Sequence, residues 1–170
     1  MKIVFIGYMA SGKTAIAKEV SRHLGIDLID LDAYIERKEN NMVSEIFKNK
    51  GEIYFRRKET QYLREILDQE KPCVLSLGGG APCFSGNMEA VLANATSFYL
   101  RATVPTIYER IIHEKSKRPL VSEVQDDALK EFIGKHLFER AFFYEQSKHT
   151  ISVDRKTIKE VTKDVLALLG

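Results

Sequence analysis

The segment Gly7-Tyr8-Met9-Ala10-Ser11-Gly12-Lys13-Thr14 matches G-x-x-x-x-G-K-[ST] and directly follows the apolar run Lys2–Ile6. Few eight-residue patterns constrain a fold as tightly. Glycines at both ends let the main chain curl until several N–H groups point inward at one anion. A helix starting at the end of the curl adds the positive end of its dipole. In this arrangement the lysine reaches the β- and γ-phosphates of a nucleotide, and the hydroxyl residue reaches Mg²⁺. The flanks agree with it. Lys2–Ile6 reads as a buried strand, and Lys13–Leu24 reads as a helix, with Ile16, Val20 and Leu24 recurring every four residues and Gly25 as a stop. A chance glycine-rich turn is the alternative, and it would need neither flank. The dinucleotide pattern G-x-G-x-x-G fails, because Gly78-Gly79-Gly80 runs on to Cys83 where a third glycine is required.

The rest of the chain alternates in the same way. Further strands are expected within Asp27–Asp32 and over Cys73–Leu77, Thr96–Leu100 and His149–Val153. Helices are expected over Gly51–Gln69 (apolar stripe Phe55, Tyr62, Leu63, Ile66, Leu67), Val104–His113 and Ala128–Gln146, and in a last segment carrying Ile158, Val161, Val165 and Leu168. Lys115–Asp127 is polar, contains Pro119 and reads as a loop. Strands separated by helices predict an α/β fold with a parallel sheet covered on both faces. Ligands collect at the carboxyl ends of such strands. The 170 residues fit one domain, 44% of them apolar. A formal charge of +2 argues against bulk nucleic-acid binding, and no run of 18 apolar residues offers a membrane span. The opening Met1–Gly7 is apolar over too few residues for a signal peptide. Cys73 and Cys83 have no C-x-x-C spacing, and His23, His113, His136 and His149 have no ligand spacing, so a cytoplasmic chain without structural zinc is expected. No apolar surface helix stands out, which makes a monomer the default.

Phosphoryl transfer needs an acid near the metal and a group that orients the attacking oxygen. The run Val74-Leu75-Ser76-Leu77 supplies no acid, whereas Asp30-Leu31-Asp32 supplies two. In an extended segment, residues i and i+2 face the same way, so both carboxylates would share one face. One would serve the metal's water shell, and the other would accept a hydrogen bond from a substrate hydroxyl. The alternative for Asp32 is a helix N-cap before Ala33. A GTPase would carry D-x-x-G and N-K-x-D; the nearest approach to the latter, Asn49-Lys50-Gly51-Glu52, ends in the wrong acid. Arg56, Arg118 and Arg140 are candidates for anion binding, against a solvated helix face, an exposed basic loop and a surface salt bridge respectively. Gly78-Gly79-Gly80 after a strand suits close backbone approach to a ligand, or a plain turn. The residues alone specify an anionic, hydroxylated acceptor.

Taken together, the whole chain resembles the shikimate kinase family, small P-loop kinases related to the nucleoside-monophosphate kinases. The matching pieces are Gly7–Thr14, Asp30-x-Asp32, Gly51-Glu52-x-x-Phe55-Arg56-x-x-Glu59, Gly78-Gly79-Gly80, Arg118-Pro119-Leu120 and Arg140-x-x-x-Tyr144. The resemblance implies a five-stranded parallel sheet in order 2-3-1-4-5, a substrate-binding subdomain near residues 33–61 and a lid near 112–127. It also implies ATP, Mg²⁺ and shikimate. Catalysis would fall to Lys13, Asp32 and Arg118. Phosphate contacts would come from Gly7, Ala10, Ser11, Gly12, Lys13, Thr14 and Ala15. Arg110 would stack on adenine opposite Arg155, while Arg118 closes on the phosphates. Thr14 would hold the metal, and Asp30 would hold it through water. Arg56 and Arg140 would grip the shikimate carboxylate, with Asp32 at the acceptor hydroxyl and Gly78, Gly79 and Gly80 at the substrate. Phe142 stands where the family often has proline, Ser147 where a small apolar residue is usual, and Ala81 follows the glycines.

Two other readings stay open at this point. One is another small P-loop kinase, with gluconate or a nucleoside monophosphate as acceptor. The other is an ATP-binding regulatory module, which would be expected to lack one of the charged groups. A nucleic-acid role lacks an aromatic-basic stripe.

Overall fold

The computed structural model describes every residue from Met1 to Gly170. Five strands, β1 (Lys2–Ile6), β2 (Asp27–Asp30), β3 (Cys73–Ser76), β4 (Thr96–Arg101) and β5 (His149–Ser152), form one parallel sheet in the order β2-β3-β1-β4-β5. The central strands read as continuous apolar runs because they are covered on both faces. Ile3, Val4, Phe5, Ile6, Val74 and Leu75 have no exposed surface. In register, Val4 lies beside Leu75 of β3 and Ser97 of β4.

Eight α-helices flank the sheet: α1 (Lys13–Leu24), α2 (Leu31–Glu39), α3 (Val43–Asp68), α4 (Asn87–Asn94), α5 (Val104–Ile112), α6 (Pro119–Ser122), α7 (Leu129–Tyr144) and α8 (Ile158–Leu169). α1 packs on α8, α3 on α2 and α4, and α5 on α7. The chain leaving β1 runs toward β2, whereas the chain leaving β3 crosses to β4 on the other side. Neighbouring strands whose connections diverge open a crevice at their carboxyl ends. Here β1 is followed by Gly7, and β3 by Leu77 and then Gly78.

Four local readings are corrected. Asp30 and Asp32 do not share an extended strand, because α2 begins at Leu31 and Asp30 is its N-cap, accepting from the Ala33 N–H at 3.1 Å. The helix expected from Gly51 begins instead at Val43 and kinks at Gly51, whose φ of 85° and ψ of 170° only a glycine adopts readily. The Lys115–Asp127 loop is built of short helical turns, Lys115–Lys117, α6 and Asp126–Ala128. α7 does carry exposed apolar surface, at Phe138 and Phe142. Carboxylates tie α2 to α3: Glu39 accepts from Tyr54 and Tyr62 at 2.6 and 2.5 Å, and Glu65 accepts from Tyr34 at 2.6 Å.

Gly7 fixes how the loop leaves the sheet. It is buried, and a Cβ there would stand 2.8 Å from the Leu100 carbonyl oxygen of β4 and 2.9 Å from Ser11 Oγ. The first neighbour is main chain in the sheet and cannot swing away. Gly7→Ala is therefore expected to lower the unfolding free energy by about 2 kcal/mol, the scale of local backbone strain. Urea denaturation measures this, and an unchanged midpoint would show that the close approach imposes nothing.

Candidate active site

The start of α1 is left for an anion. Its N-cap is Gly12 at φ 91°, with no side-chain cap, and no acidic residue lies in the first turn. The N–H groups there have neither an internal acceptor nor a carboxylate partner. Lys13 folds back over the loop, its Nζ donating to Gly7 O and Tyr8 O at 2.8 Å each, with Ser11 Oγ at 3.4 Å. Burial pulls its pKa down to about 8; Asp32 opposes this, while Arg118 and Arg140 add to it. Thr14 Oγ1 lies 3.5 Å from Asp30 Oδ2, so a hydroxyl and a carboxylate stand together beside the cradle.

These groups open onto a cleft of about 860 Å³, whose lining includes Ala10 to Ala15, Asp30, Asp32, Gly78, Gly79, Arg110 and Arg118. Arg110 Nη1 donates to Ala10 O at 2.8 Å, which braces the loop from α5. Arg118 is half-buried, its Nε has no partner, and its Nη2 makes only a long 3.4 Å contact with Glu114. The donor set fits a polyphosphate with a hard divalent cation. Uncapped N–H groups, a lysine and an unsatisfied guanidinium suit the anion, and Thr14 with Asp30 suits Mg²⁺, which prefers oxygen ligands and keeps much of its water.

The second half of the site is built around the glycines after β3. A Cβ on Gly78 would lie 3.2 Å from Asp32 Oδ1, one on Gly79 would lie 2.9 Å from Arg140 Nη1, and one on Gly80 would lie 2.8 Å from Arg56 Cζ. The absence of side chains therefore lets one carboxylate and two guanidinium groups press against the same backbone stretch. Arg56 Nη1 is held by Glu59 at 2.7 Å. Burial pushes the Glu59 carboxyl up to about 7 against the pull of Arg56. Tyr144 donates to Gly79 O at 2.6 Å, fixing α7 to the run. Burial, and then the neighbouring Asp30 carboxylate, raise the pKa of Asp32, while Lys13 and Arg56 offset part of the rise.

The structure brings together Lys13, Asp32, the glycines, Arg56 and Arg140. Gly7 lies beneath the loop and lends its carbonyl to Lys13. Arg155 stands apart from the main cleft. It is exposed, at φ 56°, on an adjoining concavity of about 450 Å³ that shares Glu109, Arg110 and Lys156 with the cleft. Sequence reasoning gave no role to Glu59, Tyr8 or His113. Glu59 could have been found, since it lies one turn from Arg56 on the stripe of α3; His113 lines the cleft without any motif.

Lys13 gives a stability test with a definite sign. Its pKa is lower in the folded chain, at about 8, than the 10.5 of an unperturbed lysine. Below pH 8 both states are protonated, and the ligand-free fold bears the full unfavourable effect of the buried charge. Between about 8 and 10.5 only the unfolded chain stays protonated, so stability recovers with rising pH. Lys13→Met should therefore melt above the parent at pH 7, lose that advantage toward pH 10, and show no rise in melting temperature on adding Mg-ATP. Thermal melts across pH test it, and a parent more stable than Lys13→Met at pH 7 would contradict the assigned environment.

Comparison with known proteins agrees with this geometry. The shikimate kinase family model matches residues 9–169. A shikimate kinase from Flavobacterium johnsoniae is 42% identical over 170 residues, covering 99% of each chain. The crystal structure of shikimate kinase from Bacteroides thetaiotaomicron superposes with a TM-score of 0.91 at 35% identity, covering 99% of this chain and 98% of that one. A shikimate kinase from Acinetobacter baumannii solved in complex with shikimate superposes with a TM-score of 0.88 at 28% identity, covering 99% and 92%. The likeness runs nearly the length of the chain: this protein belongs to the shikimate kinase family.

Proposed function

We infer that the protein is a shikimate kinase, transferring the γ-phosphoryl group of ATP to the 3-hydroxyl of shikimate. The observation that carries this is the convergence of Arg56 and Arg140 on Gly79 and Gly80, with Asp32 between them and the Lys13 cradle. A planar guanidinium donates two parallel hydrogen bonds to a carboxylate, and two such groups select an acidic acceptor.

In this reading Arg56 and Arg140 bind the shikimate carboxylate, and the glycine backbone lies against the ring. Asp32 receives the hydroxyl proton as the hydroxyl oxygen bonds to the γ-phosphorus and the bond to the β–γ bridging oxygen breaks. Its raised pKa makes it a better proton acceptor than an exposed aspartate. Lys13 and Arg118 hold the phosphate oxygens while charge shifts toward ADP. Thr14, and Asp30 through water, would hold Mg²⁺, which would supply neutralisation of the phosphate charge. The remaining contribution is positioning.

We assign residues 33–61 to substrate binding, supported by Arg56 and Glu59, and 112–127 to a lid, supported by the unpartnered Arg118 Nε. Arg110 and Arg155 flank the adenine in this assignment, with their shared concavity as its support. A monomer suffices, since every assigned residue comes from one chain. A cytoplasmic setting fits the two free cysteines and the use of ATP. No helix is long and apolar enough to cross a membrane.

Shikimate, gluconate and AMP, each offered with Mg-ATP and followed by ³¹P NMR, test the acceptor; only shikimate should become phosphorylated. Asp32→Ala should lower kcat on the order of 10²–10⁴-fold while leaving ATP affinity within about threefold. Phosphorylated gluconate or AMP would overturn the acceptor, and near-normal turnover by Asp32→Ala would overturn the assigned base.

A further inference from the structure

Tyr8 occupies one of the four free positions of G-x-x-x-x-G-K, where the phosphate loop needs only main chain. Its side chain is nevertheless fully buried. The ring leaves the loop and lies against α7. Its hydroxyl is 2.9 Å from His136 Nδ1, and the two rings meet edge to face with centroids 5.4 Å apart. Phe132 packs against His136 at 5.5 Å. Arg140, one turn further along α7, has its guanidinium carbon 5.9 Å from the centre of the Tyr8 ring. Burial and Arg140 both favour the neutral imidazole of His136, against Glu139; in the tautomer with its proton on Nε2, Nδ1 accepts from the tyrosine. Burial keeps the Tyr8 hydroxyl protonated. At its other end, the Tyr8 carbonyl accepts from Lys13. A single residue therefore touches a member of each half of the site, Lys13 and Arg140. Its main chain holds the ammonium of the phosphate cradle, and its ring backs the guanidinium that presses on Gly79.

We propose that Tyr8, tethered by His136, is a positioning residue for the acceptor: the pair sets where the Arg140 guanidinium stands over Gly79. This rests on the assignment of Arg140 to the acceptor carboxylate. Tyr8→Phe keeps the ring and removes only the tether. His136→Leu removes the same bond from the other side, and His136→Asn returns an oxygen near the position of Nδ1.

Steady-state kinetics on these variants, with shikimate and ATP varied separately, test the proposal. Tyr8→Phe and His136→Leu should each raise the shikimate KM about three- to tenfold, the scale of one net hydrogen bond, with kcat and the ATP KM within about twofold. His136→Asn should restore most of the loss. The double variant Tyr8→Phe/His136→Leu should be no worse than either single one, because both remove one interaction. An unchanged shikimate KM in Tyr8→Phe, an equal rise in both KM values, additive effects in the double variant, or no recovery in His136→Asn would each overturn the tether. Arg140→Ala separates the two levels. If it leaves the shikimate KM unaltered, the acceptor assignment itself fails. If it raises that KM while Tyr8→Phe does not, only the positioning role falls.

Discussion

The Lys13 ammonium rests 2.8 Å from two main-chain carbonyl oxygens at the end of the central strand. A cation there is held by loop geometry as much as by charge, and the loop leaves β1 through a glycine that passes close to the Leu100 carbonyl of β4. The surrounding cations make the position less comfortable. Arg118 and Arg140 repel the lysine and help depress its pKa, although Asp32 and Asp30 partly oppose them. A polyanion relieves that repulsion and satisfies the open first turn of α1 together. The unfavourable electrostatics of the ligand-free cleft therefore favour nucleotide binding.

The sheet order decides what else can reach that point. Because the connections leaving β1 and β3 diverge, the segments following these two strands face one another across a crevice. One is the phosphate loop and the other is the glycine run. Arg56 arrives from α3 and Arg140 from α7, and both close on backbone that carries no side chains. Asp32, in the first turn of α2, reaches Gly78 from a third direction. The phosphate loop and the arginine-lined glycine run thus share one edge of the sheet, a geometry suited to direct transfer between groups bound at the two.

Much of this was legible in the sequence, though not always for the stated reason. The phosphate loop declared both its chemistry and its place in the fold, because strand, curl and helix follow one another within 24 residues. Both aspartates do line the cleft, but not through the two-residue strand period; a helix starting at Leu31 brings Asp32 there and leaves Asp30 as its cap. Gly51 looked like a helix start because a kink and a start share the same break in periodicity. α7 hid its outward face for a related reason. Ile133 and Tyr144 are apolar toward the core while Phe138 and Phe142 are apolar toward solvent, so no clean stripe marks which side is buried. Contacts such as Tyr8 with His136, 128 residues apart, leave no local signal at all.

The central claim is that phosphate cradle and acid-binding arginines serve one reaction in one cavity. Release of ADP from a fixed concentration of Mg-ATP, followed with and without shikimate, addresses it most directly. The account requires slow release without the acceptor and a large, saturable increase with it. Equal rates in the two conditions would mean that the two halves of the cleft do not act on each other, and the account would fail.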